Sequence, residues 1–301
     1  MLGGEILKYL KVSYFITFEE NPEWGKPPAF VIRSVLGLSL RKLTCTLKLK
    51  EQCRDCILFD SCIYSVFFES NIKKDFISLQ GRDKAVHPFV IDIILLKEPK
   101  AEIQITFIGK ATNYIPYINI ALENSGKLGV GRKRTKFVIN SILSNGKYFF
   151  KNTREIANNC NTWTLTENTK KTPRKIILET PCRIKEQGKY ISTIDLNSLL
   201  KNMVRRIKAL SEIFGDGAYS IDLKNETFDS QPVNQRWIDK VYYSSRQHTT
   251  MKIGGVIGEI IIKEKLPLEV INIICAMELF HVGKNISFGL GKIKVEYDEC
   301  R

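Results

Sequence analysis

The sequence predicts an α+β protein made of two copies of one unit, each running β-α-β-β-α-β. Three observations lead there. The 301 residues are enough for two ordinary domains, since a domain takes roughly 100 to 200 residues. Strand-like and helix-like stretches alternate along both halves. The ends of the halves also match: INIALENSGKLGVGRKRTKFVI at 118–139 and INIICAMELFHVGKNISFGLGKIKV at 271–295 each run helix, glycine-rich turn, basic residues, strand. Gly129-Val130-Gly131-Arg132 precedes Gly289-Leu290-Gly291-Lys292 by 160 positions, and internal similarity at that separation points to a duplicated unit.

In the first half, KYLKVSYFITF at 8–18 is rich in β-branched and aromatic side chains and reads as a strand ended by Asn21-Pro22. AFVIRSVLGLSLRKL at 29–43 follows two prolines and reads as a helix. Arg33, Gly37 and Arg41 lie four apart on one of its faces, two cations flanking a flat backbone patch. After a cysteine-rich stretch, strands are expected near 88–96 and 102–108, joined by Glu98-Pro99-Lys100. A helix near 113–124, the stretch SGKLGVGRKR and a strand at 135–143 follow. The polar, Asn/Thr-rich residues 151–172 read as a linker or exposed loop.

In the second half, a strand is expected at 175–184 and a helix at 197–214, with Leu199, Leu200, Met203, Val204, Ile207, Leu210 and Phe214 at helical spacing. Gly215 stands at its C-cap, and Lys201, Arg205, Arg206 and Lys208 form its polar side. Strands follow near 237–244 and 250–263, and Pro267 opens a nearly all-apolar helix to Phe280. A glycine-rich turn and a last strand close the chain. Each half therefore reads as ferredoxin-like, the arrangement that also underlies RNA-recognition modules, with antiparallel sheets. The expected domains are 1–160, with a cysteine-rich insertion at 45–62, and 173–301, with a glycine-rich RNA-binding loop at 281–292.

Composition narrows the partners. Lys and Arg number 46 against 32 Asp and Glu, a net charge of +14, which points to a polyanion. From Asn124 to Arg154 there are eight basic residues and no acid, a better phosphate surface than a solubility device. The N-terminal MLGGEILKYLKVSYF lacks the parts of a signal peptide. Apolar runs fall short of the ~20 residues of a membrane span, so a cytoplasmic protein without a membrane partner is expected.

The glycine stretches are not nucleotide-cofactor motifs. GKNISFGLGK lacks the GK[ST] ending of a P-loop, and GVGRKR lacks the third glycine and downstream acid of a dinucleotide fold. Left-handed turn geometry alone explains such glycines. The flanking cations add a second reading, in which side-chain-free backbone lets a phosphate chain approach. The expected RNA contacts are Arg33, Arg41, Lys127, Arg132, Lys133, Arg134, Arg205, Arg246, Gly283, Gly289, Gly291 and Lys292.

Cys45, Cys53, Cys56 and Cys62 form C-x7-C-x2-C-x5-C ahead of Tyr64 and Phe67-Phe68. The C-x2-C core suits thiolate ligation of a structural zinc, while the outer spacings suit four reduced, half-buried thiols, and both readings stand. Cys160, Cys182, Cys275 and Cys300 are scattered and read as ordinary core or surface residues. Of the three histidines, His87 precedes a proline in a loop entering a strand. His248 lies beside Arg246 in YYSSRQHTTMKIGG. His281 ends the apolar helix next to the final glycine-rich turn, either as a helix C-cap or with its imidazole aimed at what the turn binds.

Together these residues resemble the CRISPR repeat-RNA-processing endoribonucleases of the RAMP superfamily. The resemblance covers nearly the whole chain: PPAFVIRSVLGLSLRKLTC, CRDCILFDSCIYSVFFE, HPFVIDIILL, IGKATNYIPYINIALENSGKLGVGRKRTKF, LETPCRIK, LLKNMVRRIKAL and, most specifically, WIDKVYYSSRQHTTMKIGGVIGE and HVGKNISFGLGKIKV. It implies tandem ferredoxin-like domains with RNA along their joint and the C-terminal loop contacting it. It also implies cleavage of CRISPR precursor RNA within each repeat, without a catalytic cofactor, by attack of a 2'-hydroxyl on the neighbouring phosphate. Many members carry a histidine around the first helix, and helix 29–43 has none. His281 matches the family pattern at the edge of the C-terminal loop, so the expected catalytic residues are His281, His248 and Lys284, with Arg33 and Arg246 as further phosphate contacts. The implied partners are pre-crRNA or crRNA, CRISPR effector-complex subunits and a second copy of the chain. A non-catalytic subunit that grips crRNA in an effector complex is the alternative.

Overall fold

A computed structural model describes residues 7–47, 53–69, 86–149, 154–164, 172–215, 223, 226–244 and 249–298. The chain falls into two compact units, Glu5–Trp163 with Ala209–Ala218, and Thr164–Lys208 with Tyr219–Arg301.

The N-terminal unit opens with β1 (Leu7–Phe18), α1 (Pro28–Thr44), β2 (Phe89–Leu95), β3 (Lys100–Ile108), α2 (Ile115–Leu128) and β4 (Phe137–Ser144). The sheet order β2-β3-β1-β4 is antiparallel throughout, as in a ferredoxin-like unit. Every second residue of β1 from Leu10 to Phe18 is buried, so one sheet face meets α1 through Ile32, Leu36 and Leu40 and α2 through Ile118, Ala121 and Leu122. The alternation of apolar side chains thus sets which face the helices cover. Inside this core the Tyr14 hydroxyl donates to Asn119 Oδ1, and burial pushes its pKa above the usual phenol value.

β5 (Lys147–Phe149) extends the sheet beyond β4. The polar stretch expected as a linker belongs in part to this unit. It forms α3 (Arg154–Ala157) and β6 (Asn161–Trp163), and β6 pairs with β1 from Leu7 to Tyr9. Ile156 and Trp163 are buried anchors amid Asn and Thr, which outweighs the polar composition. α2 also runs four residues past its expected end, through Ser125, whose hydroxyl donates to Ala121 O at 2.7 Å.

The C-terminal unit comprises β7 (Pro173–Cys182), a hairpin of β8 (Lys185–Glu186) and β9 (Lys189–Tyr190), α4 (Leu196–Phe214) as far as Lys208, β10 (Ser230–Ser244), β11 (Thr249–Ile262), α5 (Leu268–Phe280) and β12 (Ile293–Tyr297). Its sheet order, β10-β11-β7-β12, repeats that of the first unit, again antiparallel. Asp195 caps α4 by accepting the Ser198 N–H at 2.7 Å. Arg206, expected on the polar side of α4, is instead 6% exposed and donates from Nε to Phe280 O at 3.1 Å. That bond serves a carbonyl at the C-terminus of α5, where a cation is also favoured by the helix dipole. β10 begins seven residues before the expected strand. The ladder absorbs Pro232 and Asn234 with a register shift between Val233 and Arg236, and Asn234 takes φ +51°.

The internal similarity is structural. Gly129 and Gly131 have φ of +79° and +74°, Gly289 and Gly291 +78° and +68°, the first pair between α2 and β4 and the second between α5 and β12.

Candidate nucleic-acid interface

The loop from His281 to Lys292 joins α5 to β12 and is braced from three sides. Val282 N–H donates to Gly291 O at 2.9 Å, closing the loop on itself. Lys284 N–H donates to Arg183 O at 3.0 Å and Gly291 N–H to Pro181 O at 3.2 Å, which fastens it to the end of β7. Lys292 N–H adds a bond to Thr180 Oγ1 at 2.9 Å, and Gly283 N–H donates to Asn202 Oδ1 on α4 at 3.0 Å. A Cβ on Gly291 would collide with Val282 O, so the tight closure requires glycine there. These amides are therefore engaged within the protein. Their glycines shape the loop.

His281 is 1% exposed, and its Nδ1 lies 3.2 Å from Leu290 O. A carbonyl only accepts, so Nδ1 carries the proton in this contact. The backbone of His281, at φ +55° and ψ 170°, occupies a region held mainly by glycine, at a cost of about 1–3 kcal/mol. The loop thus holds the imidazole inward, against its own far end. Lys284, two residues past Val282, is exposed.

Beside Lys284 stands a group that sequence reading did not collect. Arg183 Cζ lies 3.9 Å from the centre of the Tyr190 ring, Lys185 Nζ 4.8 Å and Lys284 Nζ 5.7 Å. Trp237 on β10 lies 6.3 Å from Tyr190, centre to centre, and its Nε1 donates to Asp239 Oδ1 at 2.8 Å. Arg183 and Lys185 lie in LETPCRIK, but nothing in the sequence signals that the short β8–β9 hairpin brings Tyr190 to them. The remaining charges of the loop and α4 differ in kind. Lys292 pairs with Glu179 at 3.5 Å, and Arg205 is exposed on α4.

In the N-terminal unit the matching turn is partly neutralised. Lys133 pairs with Glu23 at 2.8 Å, which holds the Glu23 carboxyl below its usual pKa. Arg132 N–H donates to Glu23 O at 2.8 Å. The stretch free of acids in sequence therefore meets a carboxylate from the segment after β1. Lys127 and Arg134 are exposed.

The expected cationic face of α1 is covered. Phe68 rests on Gly37, where a Cβ would stand 2.9 Å from Phe68 Cε1. Arg33 Cζ sits 4.9 Å from the centre of the Phe68 ring, and Arg41 Cζ 5.6 Å from that of Tyr64. The flat patch is thus a seat for an aromatic ring, and both arginines stack on the rings around it.

Cys45, Cys56 and Cys62 line one cleft with Leu43, Leu58 and Tyr117, while Cys53 packs partly against the core. Among the described residues no three Cys, His, Asp or Glu side chains converge as a metal ion requires. None of the four cysteines is joined in a disulfide. Residues 245–248, and with them the expected site residues Arg246 and His248, lie outside the described residues. Among the described residues no helix is long and apolar enough to cross a membrane.

Two family models match the chain in tandem, one described as an N-terminal domain at residues 7–169 and that of the CRISPR-associated endoribonuclease Cas6 at 176–293. No curated protein matches significantly. Among solved structures, a Cas6 of Thermus thermophilus is 13% identical, with 97% of this chain and 100% of that one covered and a TM-score of 0.54. Its product complex gives 13% identity, 96% and 99% coverage and the same score. A chain of a partial Cas6-RT-Cas1–Cas2 complex is 14% identical over 99% of this chain and 47% of that one, also at 0.54. At these identities the structural likeness carries the tandem ferredoxin-like fold.

Proposed function

The chain belongs to the CRISPR-associated endoribonuclease Cas6 family, and from that premise we propose that it binds CRISPR repeat RNA and cuts the precursor transcript within the repeat. The reaction assigned is attack of an RNA 2'-oxygen on the adjacent phosphorus, without a metal. The bond from 2'-oxygen to phosphorus forms as that from phosphorus to 5'-oxygen breaks. The 2'-hydroxyl loses its proton and the leaving oxygen gains one, giving a 2',3'-cyclic phosphate and a 5'-hydroxyl. Such a reaction needs an in-line 2'-hydroxyl, a proton acceptor and fixed positive charge where the phosphorane develops.

The observation that carries this reading is the exposed Lys284 on a loop braced by β7 and α4, inside the segment that matches the Cas6 model. A rigid mount fixes an ammonium group with little further loss of freedom on binding. His281, expected as the base, fits better as a brace, because its ring is enclosed by the loop that it closes.

The test is a denaturing gel of purified protein with its own repeat RNA in EDTA, beside the same RNA carrying a 2'-deoxy residue at the cut. One cut, lost on 2'-deoxy substitution, is expected. A cut that survives the substitution would overturn the mechanism. The burial of His281 also supports a second reading, a subunit that holds crRNA without cutting it, whose signature in the same gel is tight binding with no product. Other Cas proteins are proposed as partners because a chain of similar fold stands in the Cas6-RT-Cas1–Cas2 complex.

A further inference from the structure

The β8–β9 hairpin reads at first as a trivial connection of two-residue strands, yet it completes a group of three cations around one ring. Arg183 comes from the end of β7, Lys185 and Tyr190 from the hairpin, and Lys284 from the glycine-rich loop. Three segments thus deliver three cations to one ring. Cations gathered this closely repel one another, and a bound anion offsets that repulsion. The carboxylates of the same elements point to other partners. Glu186 accepts from Ser198 Oγ at 2.8 Å, Glu179 pairs with Lys292 at 3.5 Å, and Asp239 accepts from Trp237 Nε1 at 2.8 Å.

The aromatic surface is the second observation. Tyr190 is exposed, and Trp237 extends the π-surface at a 48° tilt. Cations beside stacked or tilted aromatic rings form the combination by which proteins hold single-stranded nucleic acid, the charge on the backbone and the rings on the bases.

We propose that Arg183, Lys185 and Lys284 form a phosphate-binding site for the RNA strand, with Tyr190 and Trp237 as the surface for the adjoining base. This rests on the reading of the chain as an RNA-binding protein and adds to it the residues that hold the strand. The hairpin's role is to carry Lys185 and Tyr190 to the loop. Arg183 links the two, since its backbone oxygen receives the Lys284 N–H while its guanidinium lies over Tyr190.

The test is fluorescence anisotropy of labelled repeat RNA with the full chain, between about 50 and 200 mM salt, the range over which phosphate contacts are strongly screened. Lys185→Ala is expected to weaken binding and to flatten the slope of log K against log salt by about 0.7, the value for one phosphate contact on a single strand. Tyr190→Ala should weaken binding about five- to hundredfold through lost stacking, while Tyr190→Phe stays near wild type. Lys265→Ala, which removes the same charge at the other end of α5, should leave affinity and slope unchanged. Circular dichroism checks folding, and Lys185→Ala and Lys284→Ala, both at exposed positions, decide the matter if Tyr190→Ala does not fold. If wild type binds and cuts RNA while Lys185→Ala keeps its slope and Tyr190→Ala its affinity, the site is overturned and the function stands. Wild type that neither binds nor cuts would overturn both.

Discussion

Asn202 of α4 accepts the Gly283 N–H at 3.0 Å, so one side chain fastens the first turn of the glycine-rich loop to the helix. Asn202→Ala should cost about 1 kcal/mol of stability, the net worth of one hydrogen bond, in urea unfolding. It should also raise KM for repeat RNA more than it lowers kcat, because Lys284 loses its fixed mount. Asn202→Asp keeps the acceptor and should restore most of both. Equal losses in the Ala and Asp variants would show that the bond does not set the loop.

His281 separates bracing from proton transfer. If the imidazole braces the loop through Leu290 O, His281→Asn can supply a donor in its place and should cut RNA faster than His281→Ala. A loss of about 10²–10⁴ in both variants, with a change in the pH–rate profile, would instead make the ring a general acid or base.

Phe68, six residues after the last cysteine of the insertion, ties the segment that follows it to α1. It is 7% exposed, stacks on Tyr64 at 5.4 Å and rests on Gly37. Phe68→Ala should cost about 3–5 kcal/mol by the usual cost of emptying a buried aromatic site. Chemical denaturation measures it, and a loss under 1 kcal/mol would show that the insertion does not stabilise the α1 face.

Cys182 gives the C-terminal unit an alkaline limit. The thiol is buried with its Sγ 3.7 Å from Val282 O, and burial pushes its pKa from 9.0 to about 12. Because the folded value is the higher, the stabilisation is complete below pH 9. It is lost between pH 9 and about 12, as the thiol of the unfolded chain ionises first, at up to about 1.4 kcal/mol per pH unit. Unfolding of wild type and Cys182→Ala between pH 8 and 10.5 should give a steeper decline for wild type. Parallel declines would contradict the buried thiol.

The fold was legible where pattern and punctuation agree. β1 alternates, α1 starts at the second of two prolines, α5 after Pro267, and the repeated glycines mark the same turn twice. Legibility failed where a few residues overrule their neighbours. Ile156 and Trp163 pull a polar stretch into the sheet, and a register shift keeps Pro232 and Asn234 within β10. The candidate site was less legible for a related reason. Arg33 and Arg41 have the charge and spacing of an RNA face, but Phe68 lies 31 residues beyond Gly37 in sequence and no local pattern seats it there. Tyr190 reaches Arg183, Lys185 and Lys284 through backbone geometry alone. Lys284 was legible because it sits in a glycine-rich turn, a motif that shows in sequence.

The pairing of β6 with Leu7–Tyr9 fixes how the protein can be divided. β4 pairs with β1 only from Val12 onward, so β6 occupies the rest of that edge. A first half cut after Phe149 would bare the backbone amides and carbonyls of Leu7–Tyr9 and open the site that Trp163 fills, leaving an adhesive edge ready to recruit other chains. A fragment carried through residue 164 keeps that edge sealed.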